Sequence, residues 1–234
     1  MTGEIEQALE DLRRGKIVLI YDSDDREMET DMVIASEKVT QDSIRTLRRD
    51  AGGLICTTLH AEISERIGLP FLADVFSSTA DKYPVMELLA PNDIPYDTKS
   101  AFSITINHRK TFTGITDHDR ALTISEFTAL AGKAMEHKDG WATRELGKNF
   151  RAPGHVMLLN TSKDLLSNRR GHTELSTAML VMAGMTPSAT ICEMMGDDGR
   201  ALSKEKAKEY GERYGLVFLE GKEVIEAWNK WNGE

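Results

Sequence analysis

The chain has 234 residues with 29 Lys+Arg against 38 Asp+Glu, a formal net charge of −9, and 40% of its residues are hydrophobic. That composition belongs to a globular chain able to bury a core, and the acidic balance argues against nucleic acid or an anionic membrane surface as partner, because both draw their affinity from Lys/Arg patches. No apolar run approaches the ~20 residues of a bilayer span, the start Met1-Thr2-Gly3-Glu4-Ile5-Glu6 lacks the regions of a secretory signal, and two cysteines, Cys56 and Cys192, make neither a disulfide framework nor a zinc knuckle, so a cytoplasmic protein is expected.

In chain order, Ile5, Ala8, Leu9 and Leu12 fall at helical spacing within 4–14, and Gly15 supplies the stop. A buried strand, Ile17–Tyr21, follows. After an acidic stretch comes a second apolar run, Met32–Ala35, then Thr40 as N-cap of a helix with Ile44 and Leu47 inward, halted by Gly52-Gly53. Leu54–Thr58 reads as a strand, His60–Ile67 as a short helix, and Pro70–Asp97, with four of the six prolines, as a loop-rich stretch. Ala101–Asn107 alternates Phe102, Ile104, Ile106 against Ser103, Thr105, Asn107, the period of a half-buried strand. Thr123 and Glu126 have the spacing of a capping box before a helix running to about His137. Val156–Leu159 reads as a strand, Thr173–Ala183 as a helix with Leu175, Ala178, Met179 and Met182 on one face, and Ala189–Glu193 as a strand. A helix capped by Ser203, a strand Leu216–Leu219 and a helix with Val224, Ile225 and Trp228 complete the pattern. Helices and strands interleave without a linker, so one α/β domain over 1–234 with a largely buried sheet is expected.

The densest chemical signal is Asp22-Ser23-Asp24-Asp25-Arg26-Glu27-Met28-Glu29-Thr30-Asp31, six acids and one arginine between two apolar strands, −5 of the chain's −9. In an extended segment Glu27, Glu29 and Asp31 share one face and Arg26, Met28 and Thr30 the other. Three carboxylates on one face repel unless a cation or protons sit among them, so Mg²⁺ or Mn²⁺ is a natural occupant; a solvated acidic loop is the plain alternative. Asn168-Arg169-Arg170-Gly171-His172-Thr173-Glu174 joins arginines, a glycine and a hydroxyl at a helix N-terminus, a cradle for phosphate, with His172 placed to ligate a metal; an exposed loop with an ordinary N-cap near Thr173 is the alternative. Arg151-Ala152-Pro153-Gly154-His155 reads as a turn that delivers His155 to a strand. Glu193 ends an apolar strand and must be paired, exposed or functional. Thr111–Thr116 offers hydroxyls and a glycine after the polar-faced strand, and Cys56 reads as a small buried hydrophobe. These residues alone also permit a metal-dependent phosphohydrolase, a sugar-phosphate isomerase or an inert sugar-phosphate binder.

Together, Asp-x-x-Asp-Arg-Glu-x-Glu-x-Asp at 22–31, Thr113-Gly114-Ile115-Thr116 with Asp119-Arg120, Pro153-Gly154-His155-Val156, Arg169 with Gly171-His172-Thr173-Glu174, and Cys192-Glu193 resemble the 3,4-dihydroxy-2-butanone 4-phosphate synthase family of riboflavin biosynthesis, in order over nearly the whole chain and most like its archaeal single-function type. The resemblance implies a lyase that converts D-ribulose 5-phosphate to L-3,4-dihydroxy-2-butanone 4-phosphate and formate with two Mg²⁺ (or Mn²⁺) ions per site. It implies a homodimer of three-layer α/β/α sandwiches around a mixed sheet, with sites at the subunit interface. By motif, Glu27 holds both ions and His172 one; Arg26, Asp31, Arg169, Thr173 and Glu193 contact substrate, with Gly171 in the cradle. His155 and Glu193 are essential for catalysis, and Glu29 and Thr113 line the site; Glu29, Asp31, His155 and Glu193 are all candidates for proton transfer. Two positions depart from the family pattern: Met28 is expected to alter packing, and Arg170 to add phosphate affinity. No second, zinc-dependent GTP cyclohydrolase II activity is expected.

Overall fold

The sheet owes its buried character to strands whose alternate residues feed two cores. In β1 (Val18–Tyr21) and β2 (Thr30–Ala35), Leu19, Met32 and Ile34 pack on one side while Val18, Ile20, Val33 and Ala35 pack on the other, which is why the sequence shows continuous apolar runs. Each fully buried Val, Leu, Ile or Met side chain among them contributes about 1.5–3 kcal/mol relative to exposure. The computed structural model describes residues 3–233, so residues 1–2 and 234 of the expected domain lie outside the described residues. With β3 (Cys56–Leu59), β4 (Phe102–His108), β5 (Phe150–Asn160), β6 (Ala189–Glu193) and β7 (Phe218–Glu220), they form one seven-stranded sheet in the order β4-β5-β3-β6-β2-β1-β7. The β1–β7 and β3–β5 pairs are parallel and the other four antiparallel, so the sheet is mixed.

Helices cover both faces. One is packed by α2 (Gln41–Thr46), α3 (Ala61–Ile67), α6 (Asp117–Ala134), α7 (Trp141–Asn149) and α9 (Lys204–Tyr214), through Ile44, Ile67, Phe127, Ala142 and Ala207. The other carries α1 (Gly3–Arg13), α8 (His172–Met182) and α10 (Gly221–Asn232), through Leu12, Met179 and Trp228. This is the three-layer α/β/α arrangement. Gly15 and Gly52 take the left-handed conformation, φ 76° and 89°, that lets α1 and the turn after α2 end where the sequence predicts.

Several local expectations fail for identifiable reasons. Helix α6 begins at Asp117, not after Thr123: Thr116 is the N-cap and accepts from the Asp119 N–H, while Thr123 lies inside the helix and its hydroxyl accepts from His108 N–H. In β4 the alternation is broken by register shifts, so Ser103 and Asn107 are buried and Phe102 is exposed; Ser103 donates to Pro70 O at 2.6 Å. Residues 151–155 are not a turn but the first half of β5, and α7 is an unpredicted helix. The Pro70–Asp97 stretch holds two short helices, α4 (Leu72–Ser78) and α5 (Val85–Leu88), neither with a buried residue, so it forms an excursion beside the sandwich.

Candidate active site

Between β1 and β2 the acidic run is a braced loop rather than an extended segment. Residues 24–27 turn, and Met28 has φ 58°, so the alternating-face expectation fails for Arg26, which lies with Glu27 (Nη1 to Oε1, 2.9 Å). Met28 is exposed, away from the carboxylates. The organiser is Asp22: its Oδ2 accepts from Glu27 N–H at 2.9 Å, its Oδ1 from Glu29 N–H at 3.1 Å, and its own N–H donates to Glu29 O. A buried carboxylate that satisfies two backbone donors fixes where the next acids point.

Those acids converge on His172, the first residue of α8. Its Nδ1 lies 3.2 Å from Glu27 Oε2, and its Nε2 lies 3.2 Å from Glu29 O and 3.7 Å from Asp31 Oδ1. Burial disfavours the imidazolium, but Asp31, Glu27 and Asp22 outweigh it and push the pKa up to about 10. Burial likewise opposes the Glu27 carboxylate, yet His172, Arg26 and Arg169 bring it down to about 2. Asp31 is the reverse: burial pushes it up to about 8 against the pull of His172, with Glu193, Glu27 and Glu29 adding to the rise, and its Oδ1 has no hydrogen-bond partner. Glu29 is raised by burial, Glu27 and Glu193. Glu193 takes the Leu54 N–H at 2.7 Å.

On the other side stand two arginines. Arg26 and Arg169 crowd over Gly171, the N-cap of α8, so closely that a Cβ there would lie 2.6 Å from Arg169 Nη1 and 2.7 Å from Arg26 Nη2. Gly171 offers no capping side chain to the helix start. Arg169 is also held by the fully buried Glu174, and both arginines by Asp97. Arg26 sits 5.4 Å from the Tyr96 ring centroid.

A cleft of about 340 Å³ opens onto this cluster, lined by Arg26, Glu27, Glu29, Asp31, Arg169, His172, Thr173 and Glu193 together with Tyr96 and Asp97. Eight of the residues expected from the sequence are thus brought to one place. A larger cleft, about 560 Å³ between α1 and α9, holds one strongly shifted acid, Glu220, but its partners are the lysines of a salt-bridge cluster and its lining brings no histidine to the carboxylates, so chemistry and not size selects the site. Three donors, from Asp22, Glu27 and His172, lie within 4.8 Å of one another, a set that suits a hard divalent cation.

Four expected residues lie off this lining. Arg170 is exposed, with its charge facing Asp25, and Gly171 contributes from beneath the arginines. Thr113 and His155 form a separate exposed cluster around Asn107, whose Nδ2 lies 3.1 Å from His155 Nδ1 and donates to Thr113 O. Sequence reading missed Asp22 as a metal-capable group, and missed Tyr96, Asp97 and Glu174. Asp22 and Glu174 stood inside motifs already singled out; nothing in the Pro-Tyr-Asp setting of residues 95–97 marks them.

A family model for 3,4-dihydroxy-2-butanone 4-phosphate synthase matches residues 6–227. The 3,4-dihydroxy-2-butanone 4-phosphate synthase of Methanothermobacter thermautotrophicus is 50% identical over 225 residues, 96% of this chain and 95% of that one. Among solved structures, a 3,4-dihydroxy-2-butanone 4-phosphate synthase in complex with two magnesium ions superposes with a TM-score of 0.75 at 26% identity, over 98% of each chain. A two-domain 3,4-dihydroxy-2-butanone 4-phosphate synthase from A. baumannii also gives 0.75 at 27% identity, covering 94% of this chain, which spans 56% of that longer one.

Proposed function

The chain belongs to the 3,4-dihydroxy-2-butanone 4-phosphate synthase family, and from that premise we infer that the cleft beside His172 is where it converts D-ribulose 5-phosphate to L-3,4-dihydroxy-2-butanone 4-phosphate and formate. The enzyme is a lyase of riboflavin biosynthesis. The observation that carries the site assignment is the meeting, in one cleft, of four perturbed ionisable groups, Glu27, Glu29, Asp31 and His172, with an arginine pair at a helix N-terminus.

Two Mg²⁺ or Mn²⁺ ions fit the donor set. Glu27 and His172 would hold them, with Asp22 alongside, and the unpartnered Oδ1 of buried Asp31 is a further oxygen facing the same imidazole. Bound there, such ions supply Lewis acidity toward the sugar's carbonyl and hydroxyl oxygens. The protein's own groups do the rest. Arg26, Arg169 and Thr173 bind the phosphate at the start of α8, with the charge of Arg170 near by. Glu29, Asp31 and Glu193 hold and move the protons, a carboxylate taking the proton next to the carbonyl.

His155 and Thr113 enter through a partner subunit in this reading. Both are exposed and outside the cleft of their own chain, and they sit beside Phe112, 94% exposed, and Ile115, 50% exposed, an apolar tip suited to a subunit contact. A homodimer with shared sites gives His155 access to substrate in the facing cleft. Residues 1–234 act as one catalytic domain in the cytoplasm, and the charge of −9 argues against nucleic acid or membrane partners; no helix among the described residues is long and apolar enough to cross a membrane. The test is formate release from ribulose 5-phosphate with Mg²⁺, abolished by EDTA. Inorganic phosphate released without formate would overturn the reading in favour of a hydrolase.

A further inference from the structure

Asp97 occupies an unusual position between the arginines. One oxygen, Oδ2, lies 2.6 Å from Arg169 Nε and 3.0 Å from Arg26 Nη2, so a single atom bridges two guanidiniums that would otherwise repel across Gly171. Asp22 and Glu27 touch Nη1 of Arg26, and Glu174 touches Nη1 of Arg169; among the described residues only Asp97 joins both. An oxygen shared by two arginines over a helix N-terminus is the geometry of a phosphate oxygen.

The two guanidiniums already face four carboxylates, and a phosphate dianion is repelled unless one of them leaves. Three are anchored. Asp22 takes two backbone N–H groups, Glu174 is fully buried and takes the Ser162 N–H, and Glu27 is bound to His172. Asp97 instead ends the excursion whose helices α4 and α5 bury nothing; its other oxygen reaches only the local N–H groups of Thr98 and Lys99. It is the carboxylate that can move at least cost.

We propose that Asp97 is a tethered surrogate for the substrate's phosphate: it fills the Arg26–Arg169 fork in the empty site and is exchanged for phosphate on binding, which frees the 70–97 excursion from the site. The proposal rests on the reading of these arginines as the phosphate cradle. A group that holds the fork for ~90% of the time weakens apparent affinity roughly tenfold.

The experiment is calorimetric binding of inorganic phosphate to the full chain as wild type, Asp97→Asn, Asp97→Ser and Arg169→Gln, with hydrogen exchange of the 72–99 amides. In Asp97→Asn the Thr98 and Lys99 contacts can persist while the charge is lost. Roughly tenfold tighter phosphate binding in both Asp97 variants is expected. Phosphate should also speed exchange of the excursion in wild type, and exchange should already be fast without phosphate in the variants. Unchanged or weaker binding in both Asp97 variants, with Arg169→Gln weakened, overturns the proposal and leaves the cradle standing, Asp97 then being a support for the arginines. Phosphate binding that is indifferent to Arg169→Gln, or absent in wild type, overturns the cradle and the proposal together.

Discussion

Asp31 and Glu193 are Cα partners across the β2–β6 ladder, two carboxylates on adjacent antiparallel strands at the edge of the cleft. Facing acids destabilise a sheet, and Asp31 responds by holding a proton, its pKa pushed up by burial to about 8. A folded pKa above the unfolded one favours folding only at low pH and loses that contribution as pH rises through about 8. Asp31→Asn should therefore abolish formate release yet stabilise the metal-free protein by about 1 kcal/mol, ~2–4 °C in Tm. The gain should widen from about pH 4 to about pH 8, where the unfolded chain has ionised Asp31 while the folded one still holds its proton, and level off above that. Calorimetric melts of both proteins across that range check it, and a variant less stable than wild type at pH 9 refutes it.

His172 carries a proton in the metal-free site, since its pKa is pushed up to about 10. A metal takes only the neutral imidazole, so Mg²⁺ binding near pH 7.5 should release roughly one proton per site, and affinity should rise with pH toward about 10. Titration calorimetry in buffers of different ionisation enthalpy reads the proton directly. Glu27→Gln and His172→Ala should each lose turnover and the Mg²⁺-induced rise in Tm, while both still fold. A binding enthalpy identical in every buffer would remove His172 from the ligand set.

Gly171→Ala tests the crowding at the start of α8. Its φ of −88° suits any residue, so the backbone is unstrained, but the added Cβ would meet the tips of both arginines. The fold should lose no more than about 1 kcal/mol, the cost of a flexible side chain stepping aside. KM for ribulose 5-phosphate should rise roughly 10- to 100-fold, because small displacements of positioning groups are expensive in catalysis. Steady-state kinetics beside a thermal melt separates the two; an unchanged KM contradicts the cradle.

If His155 serves the partner's cleft, Glu27→Gln and His155→Ala disable opposite halves of each shared site. Each variant alone should be inactive. Refolded together, they should recover about a quarter of wild-type turnover, since half the dimers then hold one intact site. A mixture as inactive as its components argues for a site complete within one chain.

The layers of the fold were readable because they rest on periodicity. Continuous runs such as Val18–Tyr21 mark strands buried on both faces, and Gly15 and Gly52 mark the stops. What escaped reading depends on partners distant in sequence. Ser103 is buried because Pro70 O takes its hydrogen bond, Thr123 because His108 N–H reaches it inside α6, and β5 extends back to Phe150 because β4 lies beside it. The site followed the same rule. Glu27, Asp31 and His172 were legible as chemistry concentrated in short motifs, whereas Asp97 reaches its arginines from 71 and 72 residues away and leaves no local trace.

Helix α8 begins with His172 and Thr173 at the cleft and continues as Leu175, Ala178 and Met179 in the core, and Thr177 meets Thr58 at 2.8 Å beneath the sheet. The residues proposed to grip the substrate are therefore the cleft end of a rod whose following residues are buried in the core. Reactive geometry here has no softness of its own to lose first. On heating, inactivation and unfolding should trace one curve, and a void opened deep along the rod, as in Met179→Ala, should slow turnover as well as lower the melting temperature.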